Sequence, residues 1–152
     1  DSKSRQFALE VLPQLRQTYI DTGQMLFVMH PWASGKDTPS ARGATAAECA
    51  GQQGKGWEMY TKLFEEQDKW TQAADPQPLF TSYAQGLGLD TAKFEQCLAS
   101  PETAVTVQGG YVVAMMYSVP GAQTYLFNNS QSLSDSPTFE EFKTVIDSIV
   151  NQ

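Results

Sequence analysis

Ser118-Val119-Pro120-Gly121-Ala122-Gln123-Thr124-Tyr125-Leu126-Phe127 is the stretch around which the rest of the chain is ordered. Pro-Gly sets a tight turn, and Thr-Tyr-Leu-Phe carries the β-branched and aromatic side chains that suit a pleated, half-buried surface. The spacing predicts a turn running into a strand over Thr124–Phe127. Beyond it, Asn128–Asp135 reads as a polar turn with one ragged edge strand. Ser136 as N-cap and Pro137 at the first helical position then open a final helix. Its Phe139, Phe142, Val145, Ile146 and Ile149 form one apolar face that packs back on the strand.

Upstream, Phe7, Ala8, Val11, Leu12, Leu15 and Tyr19 make an apolar stripe at helical period over residues 4–19. Pro13 inside it removes a backbone donor and predicts a kink near Ala8–Leu12. After a stop at Thr22-Gly23, Met25–His30 is a short continuous apolar run, as expected for a strand buried on both faces, and Pro31 ends it. Trp32–Gly43 reads as a loop. Ala44–Ala50 is small enough for a neighbouring helix to approach closely, and further stripes follow: Trp57, Tyr60, Leu63 and Phe64, then Leu79, Phe80, Tyr83, Ala84 and Leu87. Asp90 caps a short helix bearing Phe94, Cys97 and Leu98, and Pro101–Met116 reads as a long helix. The order is helix, strand, a run of helices, strand, helix. That is an α/β domain, a single one over 1–152, with a helical insertion at approximately 40–116.

A chain of 152 residues buries roughly 70% of its unfolded surface. With 41% hydrophobic and 18% charged residues it is globular. No apolar run approaches the ~20 residues of a membrane span. Ten Lys+Arg against seventeen Asp+Glu leave a net charge of −7, the wrong sign for a nucleic-acid partner. The opening Asp-Ser-Lys-Ser-Arg lacks the apolar core of a signal peptide and is compatible with a processed start.

The residues that carry chemistry are few. Cys49 and Cys97 are too far apart for CxxC chemistry or the usual zinc spacings, and with a single His no metal site assembles. The pair reads as a structural disulfide tying two helices of the insertion, as a redox-active or regulatory pair, or as two buried thiols. A bridge would contribute about 4 kcal/mol and would place the protein in an oxidising, extracytoplasmic compartment. Gly51–Lys55 is too short for a phosphate loop, and no cofactor is implied. His30 reads as a hydrogen-bonded structural residue or as an acid–base group facing a groove with Trp32. Trp57 falls on a core stripe, whereas Trp32 and Trp70 are candidates for a binding surface. Asn128-Asn129-Ser130 fits a glycosylation sequon.

Several phrases stand in an order that resembles a known family: Glu10-Val11-Leu12-Pro13-Gln14-Leu15, Tyr19-Ile20-Asp21-Thr22-Gly23, Cys49-Ala50-Gly51-Gln52-Gln53-Gly54-Lys55-Gly56-Trp57-Glu58-Met59 and Phe94-Glu95-Gln96-Cys97-Leu98. They are similar to the DsbA-like thioredoxin-fold disulfide oxidoreductases over nearly the whole chain. The resemblance implies a CxxC at the start of the first helix, three residues before Phe7, and there Asp1 and Ser4 stand in place of the two cysteines. It also implies a cis-proline ahead of the strand, where this chain has Gly121-Ala122-Gln123-Thr124. A non-proline cis bond costs about 2.5–4 kcal/mol, so a trans peptide is expected at Gln123 and, with Ala122, His30 and Trp32, an altered groove. Finally it implies a central strand ahead of the first helix, between Met25–His30 and Thr124–Phe127. Such a strand is expected from upstream residues or as a donor strand from a neighbouring chain.

Three functions follow as expectations. The first is an extracytoplasmic DsbA-like protein without a redox active site, a binding or assembly subunit with a protein partner or self-association, on the ground that both catalytic elements are replaced. The second is a thiol–disulfide oxidoreductase whose CxxC segment lies upstream of Asp1 or was removed. The third rests on similarity to kappa-class glutathione transferases, which use a serine near the first helix, here Ser2 or Ser4; the missing cis-proline counts against it.

Overall fold

In the computed structural model, residues 1–33, 35, 37–128 and 131–151 are described, and they divide into two compact units. The first comprises residues 1–29 and 119–152, the second 30–118.

The first unit begins with one helical run in four pieces: α1 (Ser2–Gln6), a π-helical turn (Phe7–Val11), α2 (Leu12–Leu15) and a second π-helical turn (Arg16–Ile20). Pro13 supplies no N–H, so the carbonyl four residues earlier receives no helical bond from it. The chain widens there instead of breaking, and the Leu12 N–H reaches the Phe7 carbonyl five residues back. The run keeps its stripe: Phe7, Ala8, Val11, Leu12, Leu15 and Tyr19 are all buried. Phe7 centres the packing, its ring 4.8 Å from Tyr125, 5.7 Å from Phe142 and 6.0 Å from Phe27. Tyr125 meets Phe142 edge-on at 4.8 Å. Such offset and edge contacts add to plain burial.

Strand β1 (Tyr125–Phe127) pairs antiparallel with β2 (Gln131–Leu133) in a two-stranded sheet, Tyr125 opposite Leu133 and Phe127 opposite Gln131. Asn129 and Ser130 of the sequon lie outside the described residues. Two expectations need correction. Met25–His30 carries no strand assignment: a strand is defined by its ladder, and the sheet of the described residues consists of β1 and β2. The segment is not buried on both faces either, Leu26 and Val28 being 85% and 58% exposed. The last helix, α9 (Phe139–Val150), is capped by Thr138 rather than by Ser136. Glu141 completes a capping box with Thr138, satisfying two end donors reciprocally where Ser136 and Pro137 offer only one capping oxygen. Phe142 and Ile146 are its buried positions.

The second unit is helical: α3 (Pro39–Gly51), α4 (Gly56–Glu65), α5 (Gln67–Gln72), α6 (Gln77–Gly86), α7 (Thr91–Leu98) and α8 (Pro101–Met116). Helix α3 starts inside the expected loop because Thr38 caps it, accepting from the Ala41 N–H, with Pro39 following. Small residues let α3 sit centrally; a Cβ on Gly43 would approach the Trp70 ring to 3.1 Å, and one on Gly56 would come as close to the Gly51 Cα. The core is Ala46, Cys49, Ala50, Met59, Leu63, Trp70, Phe80, Ala84 and Phe94. Trp70 is therefore core rather than binding surface, its indole N–H donating to the Leu63 carbonyl at 2.7 Å. Trp57 is half-buried, with Met59 and Leu63 taking the inner face of α4. Asp90 caps α7, and its backbone exchanges hydrogen bonds with the Gln53 side chain, tying the end of α3 to the start of α7.

Candidate functional site

Two places in the chain combine chemistry with access, one in each unit.

The first lies where the turn before β1 meets the start of α1. Asp1 is the N-cap, its Oδ1 accepting from the Ser4 N–H at 2.8 Å and its Oδ2 from the Ser4 hydroxyl at 3.3 Å. The Gln123 amide Nε2 donates to both Asp1 Oδ1 and Ser4 Oγ, each at 2.8 Å. Residues 119 positions apart in sequence thus form one network. Gln123 holds a left-handed backbone, φ +62°, and so does Ser118 at +53°. Such a conformation costs a non-glycine residue of order 1 kcal/mol or more. The hydrogen bonds to Asp1 and Ser4 offset that cost, while the other amide oxygen, Gln123 Oε1, is buried without a hydrogen-bond partner among the described residues. Every peptide bond among the described residues is trans. Ala122 beside it is exposed. Asp1, Ser4 and Gln123 can bind and orient through a carboxylate, a hydroxyl and an amide. They supply no thiol.

Farther along this unit, the Tyr19 hydroxyl donates to Asp147 Oδ1 at 2.6 Å. Burial first, then the hydrogen bond and negative charge of Asp147, push the Tyr19 phenol up to about 12. The Lys143 ammonium, and after it Tyr19, hold the Asp147 carboxyl below its usual value. Asp147 lies on α9 and Tyr19 in the first helical run, so the pair joins the two long elements that frame β1.

The second place is the disulfide between Cys49 on α3 and Cys97 on α7, 48 residues apart with Cα atoms 5.6 Å from each other. Its two sulfurs stand in different surroundings. Cys49 is 1% exposed inside the core, whereas Cys97 is half-buried and borders a polar pocket with Gln52, Lys93, Gln96, Thr103 and Thr106. The Thr103 hydroxyl, 3.4 Å from Cys97 Sγ, belongs to a buried polar side chain, 4% exposed. Sequence reasoning did not find Thr103. It follows Cys97 by six positions, across the α7–α8 turn capped by Ser100, and no pattern in the chain announces the contact.

His30 and Trp32 open the second unit. His30 is exposed. Trp32 is half-buried and meets Tyr111 of α8 edge-on at 5.2 Å, beside the point where Gly110 admits Pro31. Among the described residues no group of acidic, histidine and cysteine side chains could hold a metal ion, and no helix is long and apolar enough to cross a membrane.

The pattern of a helical run against a strand and final helix, with a helical unit inserted between them, is the thioredoxin-like fold with a DsbA-like insertion. The family model described as thioredoxin matches residues 3–148, and the chain belongs to that family. The crystal structure of Wolbachia pipientis alpha-DsbA1 superposes with a TM-score of 0.82 at 19% identity, covering 99% of this chain and 81% of that one. A protein of Bacillus cereus named "Probable disulfide bond formation protein D" is 30% identical over 149 residues, 94% of this chain and 66% of its own. A candidate protein-disulfide oxidoreductase of Rickettsia prowazekii is 26% identical over 123 residues, 80% of this chain and 44% of its own. The chain thus spans under half the length of that relative.

These relatives overturn the expectation of a redox-free binding or assembly subunit. Its ground was the replacement of CxxC and cis-proline by Asp1, Ser4 and Gln123, yet the relatives that match most of the chain are named for disulfide chemistry. Residues missing from a motif within one stretch say nothing about thiols carried elsewhere in a polypeptide.

Proposed function

We propose that this chain is the DsbA-like part of a thiol–disulfide oxidoreductase, with the CxxC segment N-terminal to Asp1. The observation that carries the reading is the family match over residues 3–148 together with relatives named for disulfide formation. The resemblance puts Asp1 and Ser4 at positions equivalent to CxxC and Gln123 at that of the cis-proline, and these three side chains form one hydrogen-bonded network. On this reading a preceding segment reaches the network first, and its apolar residues cover Leu26, Val28 and Leu126, which stand exposed in this unit.

The chemistry is exchange. A thiolate of the substrate dithiol attacks one sulfur of the oxidised CxxC, giving a mixed disulfide; the substrate's second thiolate then attacks its own bridged sulfur. The substrate disulfide forms, the CxxC leaves as a dithiol, and two electrons pass to the protein. Gln123 anchors the turn against the helix start, where Asp1 and Ser4 hold its amide. Substrates are reduced proteins, and the compartment is oxidising and extracytoplasmic, where the Cys49–Cys97 bridge also persists.

The test uses the native full-length polypeptide. Intact mass before and after reduction and alkylation counts its cysteines, and a reduced model peptide reports dithiol oxidation. Thiols beyond Cys49 and Cys97, with oxidation that survives their joint replacement by Ala, support the proposal. A polypeptide holding only Cys49 and Cys97 and inert toward the peptide overturns it.

A further inference from the structure

The pocket beside Cys97 is unused by the exchange chemistry above. It is an open depression of about 330 Å³, wide enough for a small molecule of one to three amino-acid residues to lie against. Its lining is polar and of mixed sign: the Lys93 ammonium, loosely paired with Asp90 Oδ2 at 3.7 Å, the Glu102 carboxylate, which accepts from the Ser100 hydroxyl at 2.8 Å, and amide and hydroxyl groups from Gln96, Thr103 and Thr106. It borders one sulfur of a disulfide whose other sulfur is shut in the core among Ala46, Met59 and Phe94.

We propose that this pocket is a site for small zwitterionic thiols and that Cys97 is the sulfur they modify. Access selects the sulfur, since a thiolate has to reach the atom it attacks and Cys49 is 1% exposed. Charge selects the thiol. Lys93 receives a carboxylate, Glu102 an ammonium, and the ligand sulfur is thereby held at Cys97. The ligand's thiolate bonds to Cys97 Sγ, the Cys49–Cys97 bond breaks, and its electron pair leaves on Cys49 Sγ, which takes a proton from water. A mixed disulfide at Cys97 and a free thiol at Cys49 result, with no net oxidant or reductant. Neither sulfur of the intact bridge carries a proton, so the Thr103 hydroxyl is the donor in its 3.4 Å contact and fixes Cys97 Sγ at the pocket side. Helices α3 and α7 keep Cys49 beside Cys97, their Cα atoms 5.6 Å apart, so attack of the Cys49 sulfur on the mixed disulfide re-forms the bridge and expels the small thiol once the free thiol is removed. The site is a reversible one, coupling the low-molecular-weight thiol pool to the core of the helical unit.

Native protein is incubated with free cysteine, glutathione or 2-mercaptoethanol at equal thiolate concentration, quenched in acid, alkylated, and mapped by peptide mass. Mapping to Cys97 keeps the result independent of any CxxC elsewhere in the polypeptide. Cysteine or glutathione is expected on Cys97, with Cys49 alkylated, several-fold faster than 2-mercaptoethanol, and the faster of the two names the natural source. Lys93→Gln with Glu102→Gln, both at the surface, is expected to bring all three thiols to about one rate. Adducts on Cys49, adducts only in denaturant, or equal rates for charged and neutral thiols in the unsubstituted protein overturn the proposal.

Discussion

Two adjacent glycines on α8 provide a sharp test of the packing. Helix propensity treats Gly109 and Gly110 alike: replacing either by Ala in a helix interior should stabilise by about 1 kcal/mol. The surroundings differ. A Cβ on Gly109 meets nothing within 4 Å, whereas one on Gly110 falls 2.6 Å from Pro31 Cδ and 2.9 Å from both Pro31 N and Pro31 O. Those atoms are ring and backbone, which cannot swing aside as the end of a flexible side chain does. Forced overpacking of this kind costs about 1–3 kcal/mol, and the rigidity of proline places it at the upper end. Gly109→Ala should therefore gain about 1 kcal/mol and Gly110→Ala lose about 2 after the propensity gain. The gap of roughly 3 kcal/mol corresponds to a Tm difference of about 6–12 °C at this chain length. Urea unfolding of both variants, with equal m-values as the control for two-state behaviour, reads it directly. A Gly110→Ala protein as stable as Gly109→Ala would refute the close approach of Pro31 to α8 and the account of how Trp32 is held.

Three further outcomes follow from other contacts. Replacing Cys49 and Cys97 together by Ala releases a 48-residue separation and should lower stability by about 4 kcal/mol, read by calorimetry; a loss below about 1 kcal/mol would refute a constraining role. Thr138→Ala breaks the capping box of α9 and should cost about 1 kcal/mol in urea unfolding, while Ser136→Ala should be near neutral; the reverse order would restore Ser136 as the cap. Tyr19 and Tyr60 are both pushed up to about 12, chiefly by burial. A raised folded-state value favours the protonated phenol, so their contribution is complete below the unfolded value of about 10 and is lost as pH rises from there toward about 12. Alkaline unfolding followed by tyrosinate absorbance should fall in that window and shift upward in a Tyr19→Phe, Tyr60→Phe double variant; an unchanged midpoint would remove the tyrosines as its cause.

Where the physics is local, the chain could be read directly. The stripe from Phe7 to Tyr19 needs only a 3.6-residue period, and Asp90 needs only its own side chain and the next three residues to cap α7. The same reasoning stopped short at Ser136, where a rival cap two residues on was better because Glu141 completes a reciprocal pair. Trp70 was open in sequence because α5 is six residues long, too short for a stripe to declare its buried side. The family itself was legible from phrases around Glu10–Leu15, Cys49–Met59 and Phe94–Leu98. The function was not, since Asp1 and Ser4 in place of thiols bear only on that one stretch and not on thiols elsewhere in a polypeptide.

Period, composition and capping, which act between residues a few positions apart, were set by the sequence alone: an acidic α/β chain, helical in its middle, ending in a strand and an amphipathic helix. Tertiary structure decided what depends on atoms distant in sequence meeting in space. It joined Gln123 to Asp1 and Ser4, buried one sulfur of the disulfide while leaving the other at a polar pocket, and set Pro31 against Gly110 but not Gly109. Each rests on a few tenths of an ångström of close packing, and a pattern of residue types holds no record of those distances until the elements have docked.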